Sequence, residues 1–213
     1  MYVDEGNNVE ALIEAFQQVK DIDHPIVVHI NTLKGKGLPF AEQDKERWHW
    51  GMPFDLHTGK SRFISEAEED YAPLTAEYLL SLMPSHPELF AITSGTPAVF
   101  GFNKTRRERA GKQFVDVGIA EETAVALASG AAKRGAKPVW GVYSTFIQRT
   151  YDQLQQDLCI NDNPALMLVF WGGIESMNDV THTCFYDIPL LMNIPNLIYL
   201  APTCKEEYLA MMD

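Results

Sequence analysis

The sequence predicts an α/β fold, with a mostly parallel sheet and helices on both of its faces. Three observations predict it. Short apolar runs alternate along the chain with segments of helical period. The runs do not alternate polar with apolar residues, which is typical of parallel strands buried on both faces. Hydrophobic residues make up 46% of the chain, enough to fill a core.

Composition excludes several classes of protein. The chain has 213 residues, with 17 Lys and Arg against 29 Asp and Glu and a net charge of −12. Because phosphate binding needs a basic face, this balance argues against a nucleic-acid partner. No run of about 18 apolar residues is present, so no membrane span is expected. The start lacks a secretory signal and the three cysteines (Cys159, Cys184 and Cys204) are dispersed, which favours a reducing cytoplasm.

The sequence pattern of residues 1–30 predicts the end of an α/β unit. Asn8 can cap a helix. The apolar positions of that helix predict one buried stripe: Val9, Leu12, Ile13, Phe16 and Val19. After a turn, Ile26–Ile30 predicts a strand buried on both faces.

The composition of residues 31–72 predicts an interdomain linker. This stretch is polar, charged and aromatic, contains several glycines and prolines, and keeps no period. A structureless segment of this length is unusual inside a compact domain. We therefore expect a second domain to occupy residues 73–213.

The sequence pattern of residues 73–213 predicts alternating strands and helices. The strands are expected at Leu89–Thr93, Phe114–Val117, Pro138–Val142, Ala165–Phe170 and Leu197–Ala201. The helices are expected at Thr75–Met83, Glu121–Lys133, Thr145–Leu158 and Lys205–Met212. Ligands of such sheets bind at the carboxyl ends of the strands, so residues just after each strand are the candidates for function.

Two candidate clusters follow strands. Glu121 and Glu122 open a helix after a turn at Gly118, but the helix dipole stabilises acids in a first turn without any catalytic role. Tyr143 and Phe146 lie near a strand end, although aromatic residues at helical spacing are more often part of a core. Spacing alone leaves structural and functional interpretations open.

Other polar motifs are weaker. Residues Lys34 to Gly37 (KGKG) resemble a phosphate loop but lack the strand and helix that flank one. His49 and His182 do not fall in a metal-binding spacing, and either could be an ordinary loop side chain. We expect no metal site in this chain.

Several longer words together resemble one family. The run from Phe114 to Glu121 (FVDVGIAE) is similar to the FDVGIAEQ signature of 1-deoxy-D-xylulose-5-phosphate synthases, in the transketolase branch of thiamine-diphosphate enzymes. The run from Tyr143 to Gln153 (YSTFIQRTYDQ) resembles their YSTFLQRAYDQ. Shorter matches in the same order are Lys34 to Gly37, Trp48-His49, Thr181-His182, Phe185 to Asp187 and Ile194 to Asn196.

The resemblance implies a domain assignment. Residues 1–30 would end a diphosphate-binding domain, 31–72 would be the linker, and 73–213 would be most of a pyrimidine-binding domain. The cofactors implied are thiamine diphosphate and Mg²⁺, with the metal and the diphosphate held by a preceding domain. Such a piece is expected to be inactive alone, to expose an apolar face, and to belong to a homodimer.

The resemblance also implies residue roles in the transfer of a two-carbon unit from a 2-oxoacid or ketose to an aldehyde. Glu121 would hydrogen-bond a ring nitrogen of the aminopyrimidine, and Phe146 would stack on that ring. Tyr143 and Arg149 would lie nearby. The two histidines, His49 and His182, would face the reacting carbon and relay protons.

The sequence departs from the family at several positions. Trp171 stands where an arginine would hold the acceptor's phosphate, and Asn178 replaces an aspartate. Glu122-Thr123 and Glu5 to Asn8 also differ from the family words. A non-catalytic paralogue that kept the fold is therefore one alternative. A 2-oxoacid dehydrogenase β subunit is another, although the run from Tyr143 to Gln153 argues against it.

Overall fold

A computed structural model describes residues 1–62, 70–173, 181–182 and 185–213. The chain forms two compact units, Met1–Ala67 and Glu68–Asp213. The finer division into a domain end, a linker and a second domain stays a prediction.

The first unit contains a small parallel sheet and two helices. Its elements are β1 (Tyr2–Val3), α1 (Val9–Val19), β2 (His29–Ile30) and α2 (Pro39–Gln43). β1 pairs with β2 in parallel. Asn8 caps α1 as expected, because its Oδ1 accepts hydrogen bonds from the backbone N–H groups of Glu10 and Ala11.

Three of the five apolar residues predicted to be buried on α1 are exposed, and Leu12 and Val19 are half-buried. Val9, Ile13 and Phe16 are 63%, 52% and 49% exposed, and the buried residue of the helix is Ala15. The predicted strand Ile26–Ile30 is also too long, since only its last two residues pair. Within the described residues β2 pairs only with the two-residue β1, which leaves the remaining apolar side chains uncovered.

The predicted linker has more order than expected. It contains α2 and a β-bridge between Phe54 and Ser61. Phe40, Trp48 and Phe54 pack together, with ring centroids 4.5 Å apart for Phe40–Trp48 and 4.7 Å for Trp48–Phe54. Aromatic packing does not need a sequence period, which is why the pattern did not reveal it.

The second unit confirms the α/β prediction. Its strands are β3 (Leu89–Thr93), β4 (Phe114–Asp116), β5 (Lys137–Tyr143) and β6 (Leu166–Phe170). Its helices are α3 (Tyr71–Leu82), α4 (Lys104–Ala110), α5 (Glu121–Ala132), α6 (Tyr151–Gln153), α7 (Asp187–Leu191) and α8 (Lys205–Met212). The four strands are parallel, in the order β4-β3-β5-β6.

Helices cover both faces of this sheet. One apolar cluster joins Ala91 and Val139 to α3 and α8 on one face. The other joins Ile92 and Trp140 to α5 and to the segment 147–159 on the opposite face. Neighbouring strand residues enter different clusters because side chains alternate across a strand. The central strands β3 and β5 are therefore buried on both faces, as the apolar runs predicted, whereas the edge strands β4 and β6 are mostly half-buried.

The segment 147–159 is less regular than the single helix predicted over Thr145–Leu158. It passes from a 3₁₀ turn (Ile147–Thr150) through α6 to a π-helical turn (Leu154–Cys159). Thr145 does not cap it, because its Oγ1 donates to the carbonyl of Thr181 over 3.0 Å. A π-helical turn is often found at functional sites.

The strand predicted at Leu197–Ala201 does not form. These residues have no regular secondary structure, and Ile198 is 84% exposed. A groove of about 1200 Å³ lies between them and β6. Tyr199 contacts the Asp187 carboxylate through its hydroxyl at 3.3 Å, so a side-chain contact anchors the segment where backbone pairing was expected.

A substitution at Gly141 tests how tightly β5 packs against the core. A Cβ at this position would lie 2.3 Å from Cγ of Phe100, which is fully buried and cannot move aside. We expect Gly141→Ala to lower the free energy of unfolding by about 1–3 kcal/mol through overpacking. Denaturant titration measures the change.

Gly130 is the matched control. It is an exposed position of α5, and a Cβ there would meet nothing within 4 Å. Gly130→Ala should leave stability unchanged or raise it by up to about 1 kcal/mol, because alanine favours a helix. Equal destabilisation by the two substitutions would contradict this account of the core.

Candidate active site

The carboxyl ends of the four parallel strands share one edge of the sheet. At this edge the last residue of β4, Asp116, joins two loops. Its Oδ1 accepts hydrogen bonds from the backbone N–H of Gly95, after β3, and of Gly118, after β4, each 2.9 Å long. Gly118 has φ +74°, a conformation that favours glycine, and it turns the chain into α5.

Glu121 begins α5 and is a buried acid at this edge, with 1% of the residue exposed. Its Oε2 accepts a hydrogen bond from Nη1 of Arg149 over 3.0 Å. The arginine side chain is 49% exposed, so it reaches the buried carboxylate from the surface. The positive end of the α5 dipole lies at the same place. The buried carboxylate thus has a guanidinium partner and lies at the start of a helix.

Three aromatic side chains form what we call the ring cluster: Tyr143, Phe146 and His182. Their ring centroids lie 5.4 to 5.8 Å apart, with interplanar angles of 72° to 85°. The backbone N–H of Arg149 donates to the carbonyl of Phe146 over 3.4 Å, so the ring cluster and the Glu121 ion pair share one turn of chain. Edge-to-face packing of this kind fixes ring orientation.

Trp171 follows β6 at the same edge. Its indole is 50% exposed, with a ring centroid 6.4 Å from that of Tyr143. Its φ of +59° is an outlier for a bulky residue. The sequence revealed the identity of this residue but not its backbone conformation, because no glycine marks the turn at this position.

Five of the six predicted site residues lie in the second unit, and the sixth lies in the first. Glu121, Arg149 and the ring cluster lie in the second unit. His49 lies in the first unit, where its Nδ1 is hydrogen-bonded to Lys34 Nζ.

Sequence reasoning missed two buried polar groups near this edge. Ser144 is fully buried, and its Oγ has no hydrogen-bond partner in the part of the chain that the structure describes. Asp187 is 7% exposed and accepts from Tyr199. Burial, reinforced by this carboxylate, raises the pKa of Tyr199 above its ordinary value. Burial of single polar residues leaves no mark in a sequence pattern.

Among the described residues there is no cluster of three or more His, Cys, Asp and Glu that could hold a metal ion. Cys159 and Cys204 are free thiols, and Cys184 and Asn178 lie outside the described residues. No helix of the described ranges is long and apolar enough to cross a membrane.

Comparison with known proteins places this edge in a family. Residues 69–213 match the transketolase pyrimidine-binding domain. The chain is 40% identical over 204 residues to the 1-deoxy-D-xylulose-5-phosphate synthase of Trichodesmium erythraeum (strain IMS101), covering 95% of this chain and 32% of that protein. The synthase of Natranaerobius thermophilus (strain ATCC BAA-1301 / DSM 18059 / JW/NM-WN-LF) is 35% identical over 209 residues, covering 98% and 33%. This chain spans about a third of the length of these relatives.

A solved structure described as a split gene transketolase, inactive beta4 tetramer, aligns with a TM-score of 0.47 and 18% identity, covering 58% of this chain and 39% of that one.

The family match at residues 69–213 spans more than half of the chain. It includes the whole edge that carries Glu121, Arg149 and the ring cluster. The chain therefore belongs to the family of transketolase pyrimidine-binding domains.

Proposed function

We propose that this chain provides the pyrimidine-binding part of a thiamine-diphosphate-dependent transferase of the synthase/transketolase type. The reaction moves a two-carbon unit from a 2-oxoacid or ketose to an aldehyde. A C–C bond of the donor breaks, a new bond forms at the aldehyde carbon, and the aldehyde oxygen takes up a proton. The observation that carries the proposal is the buried Glu121 carboxylate at the start of α5.

Glu121 suits an aminopyrimidine. A buried carboxyl group can hydrogen-bond a ring nitrogen and exchange a proton with it, and burial keeps water from competing for that bond. Arg149 occupies Oε2, which positions the carboxylate relative to α5. Thiamine diphosphate, when bound, supplies the electron sink and the reactive carbon for making and breaking C–C bonds.

The ring cluster suits the same cofactor. Phe146 offers an aromatic face for stacking on a pyrimidine, and Tyr143 holds its orientation by an edge-to-face contact. His182 packs against both rings, and its imidazole is proposed as a proton carrier on the strength of the sequence resemblance. His49 is proposed as a second proton carrier on the strength of the sequence resemblance.

The remaining cofactor and partners are part of the same proposal. Mg²⁺ would accompany the diphosphate, and the described residues of this chain are not proposed as its ligands. The partners are small molecules and a second copy of the protein in a homodimer, with neither nucleic acid nor membrane involved. The proposed location is the cytoplasm.

Glu121→Gln tests the catalytic role. The amide keeps the size of the side chain but cannot exchange a proton, so we expect turnover of pyruvate with an aldehyde to fall about 100-fold or more. The measurement is product formation by the complete protein with thiamine diphosphate and Mg²⁺. Glu122→Gln, in the same helical turn, is the matched control and should stay within about twofold of the wild type.

Two results would go against these assignments. Wild-type turnover in Glu121→Gln would remove this residue from the chemistry. Absence of thiamine diphosphate binding by the wild-type protein, measured by calorimetry, would overturn the proposed function and favour the non-catalytic paralogue.

Arg149→Met tests the positioning of that acid. Removing the arginine leaves a buried carboxylate without its cation. We expect the free energy of unfolding to fall by about 1–2 kcal/mol, less than for a fully buried pair because the arginine is half exposed. Turnover should fall about tenfold as Glu121 loses its orientation.

A double-mutant cycle with Glu121→Gln separates this effect from a general loss of charge. The double variant should be no less stable than Arg149→Met alone, because the unpaired charge is gone. Arg134→Met, at an exposed position after α5, is the control and should leave both quantities unchanged. Strict additivity in the cycle would contradict a direct Glu121–Arg149 interaction.

A further inference from the structure

We infer that Thr181 is a positioning residue that holds the neutral His182 imidazole with its proton on Nε2. The ring then presents an N–H donor from Nε2 to a bound ligand. This inference rests on the proposed function, because it specifies the state in which His182 would meet a cofactor or substrate. Three observations carry it: the packing of the ring, the contact between Thr181 and His182, and the attachment of Thr181 to β5.

The His182 ring packs against the other two members of the ring cluster. Its centroid lies 5.8 Å from that of Tyr143 and 5.4 Å from that of Phe146, with interplanar angles of 73° and 72°. These edge-to-face contacts fix the plane of the imidazole. Because the outer torsion of histidine is roughly two-fold, packing alone leaves the positions of Nδ1 and Cδ2 interchangeable.

A hydrogen bond from the preceding residue selects one of the two orientations. Oγ1 of Thr181 lies 2.7 Å from Nδ1 of His182. In the other orientation the Cδ2–H group would face the hydroxyl in place of the nitrogen, and the hydrogen bond would be lost. The contact therefore fixes Nδ1 on the threonine side of the ring.

The length of this contact indicates which atom donates. Hydrogen bonds from hydroxyl donors are most often about 2.7–2.8 Å long, whereas those from N–H donors to oxygen are most often about 2.9–3.0 Å. The 2.7 Å separation fits a threonine O–H that donates to an unprotonated Nδ1. Since a neutral imidazole carries one ring proton, that proton is then on Nε2.

Thr181 is itself attached to the end of β5. Oγ1 of Thr145, two residues after that strand, donates to the Thr181 carbonyl over 3.0 Å. The ring of Tyr143, the last residue of β5, contacts His182 from the same strand end. The hydroxyl and the aromatic contacts thus hold the imidazole from one frame, which is the kind of support that a functional side chain needs.

The tautomer decides which of two roles the neutral imidazole has. With its proton on Nε2, the ring donates a hydrogen bond and favours a ligand oxygen that carries negative charge. The opposite tautomer would present a lone pair from Nε2 and act as a base. Within the proposed function, His182 is thus a hydrogen-bond donor in its neutral form, and it releases a full proton only from the doubly protonated ring.

The tautomer can be measured without the cofactor. The complete protein is isotopically labelled at the nitrogens of its histidine rings, and proton–nitrogen correlation spectra distinguish a protonated nitrogen from an unprotonated one. The loss of one set of signals in His182→Gln identifies this residue. At the alkaline end of a pH titration, where the imidazole signals no longer change, the Nε2–H form should exceed the Nδ1–H form by about tenfold or more.

Two substitutions at Thr181 test the cause, and a third variant is the control. Thr181→Val keeps the shape of the side chain without the hydroxyl, so the tautomer ratio should move about fivefold toward Nδ1–H. Thr181→Ser keeps the hydroxyl and should keep the wild-type ratio. Thr105→Val removes an exposed hydroxyl of α4 and should leave the ratio unchanged. A purely structural role of Thr181 would change stability without moving this ratio.

Either of two results would overturn the inference: a wild-type ring without an excess of the Nε2–H form, or the wild-type ratio in Thr181→Val. The first result needs no variant, so it decides the matter even if Thr181→Val does not fold. A wild-type protein that does not bind thiamine diphosphate would instead overturn the proposed function, and the tautomer measured in the free protein would stand.

Discussion

A buried carboxylate must be compensated, and this requirement organises the second unit. Glu121 has a side chain that is 2% exposed, and an uncompensated charge there would destabilise the fold by several kcal/mol. Two features compensate it: the start of α5 and the guanidinium of Arg149. The first depends on the turn after β4, and the second on the segment after β5. The ion pair therefore links two strand ends through their loops.

The loops themselves are held by the ends of the strands. Asp116 binds the backbone of Gly95 and Gly118, so the turns after β3 and β4 keep a fixed relation. On the other side, Thr145 donates to the Thr181 carbonyl and brings His182 to the end of β5. Short polar contacts of this type position side chains that come from distant parts of the chain. The arrangement gives one edge a buried carboxylate, an imidazole and aromatic surface.

The sequence predicted the elements whose patterns are local. The turn at Gly118 with acids after it predicted the start of α5, and the apolar runs predicted β3, β5 and β6 within a residue or two. The family words identified Glu121, Phe146 and Arg149 as candidates. None of these signals contained the ion pair itself, because it joins residues 28 positions apart and depends on the order of the strands.

The incorrect predictions have a common physical cause. An apolar pattern reports a tendency to be buried, but burial needs a partner surface. The stripe on α1 and the run Leu197–Ala201 carry the pattern, yet Phe16 and Ile198 are exposed because no described element covers them. The backbone strain at Trp171 was equally invisible, since a positive φ is predicted only where glycine or asparagine marks it. Tertiary context decides such positions.

The central claim is that the Glu121 carboxylate hydrogen-bonds the pyrimidine ring of the cofactor. A crystal structure of the complete protein with thiamine diphosphate tests this claim most directly. The quantity to measure is the distance from the Glu121 carboxylate to the nearest ring nitrogen of the aminopyrimidine. The account predicts about 2.6–3.2 Å, with Arg149 still on the other side of the carboxylate. A cofactor bound with its pyrimidine ring away from Glu121 and Phe146 would contradict the account.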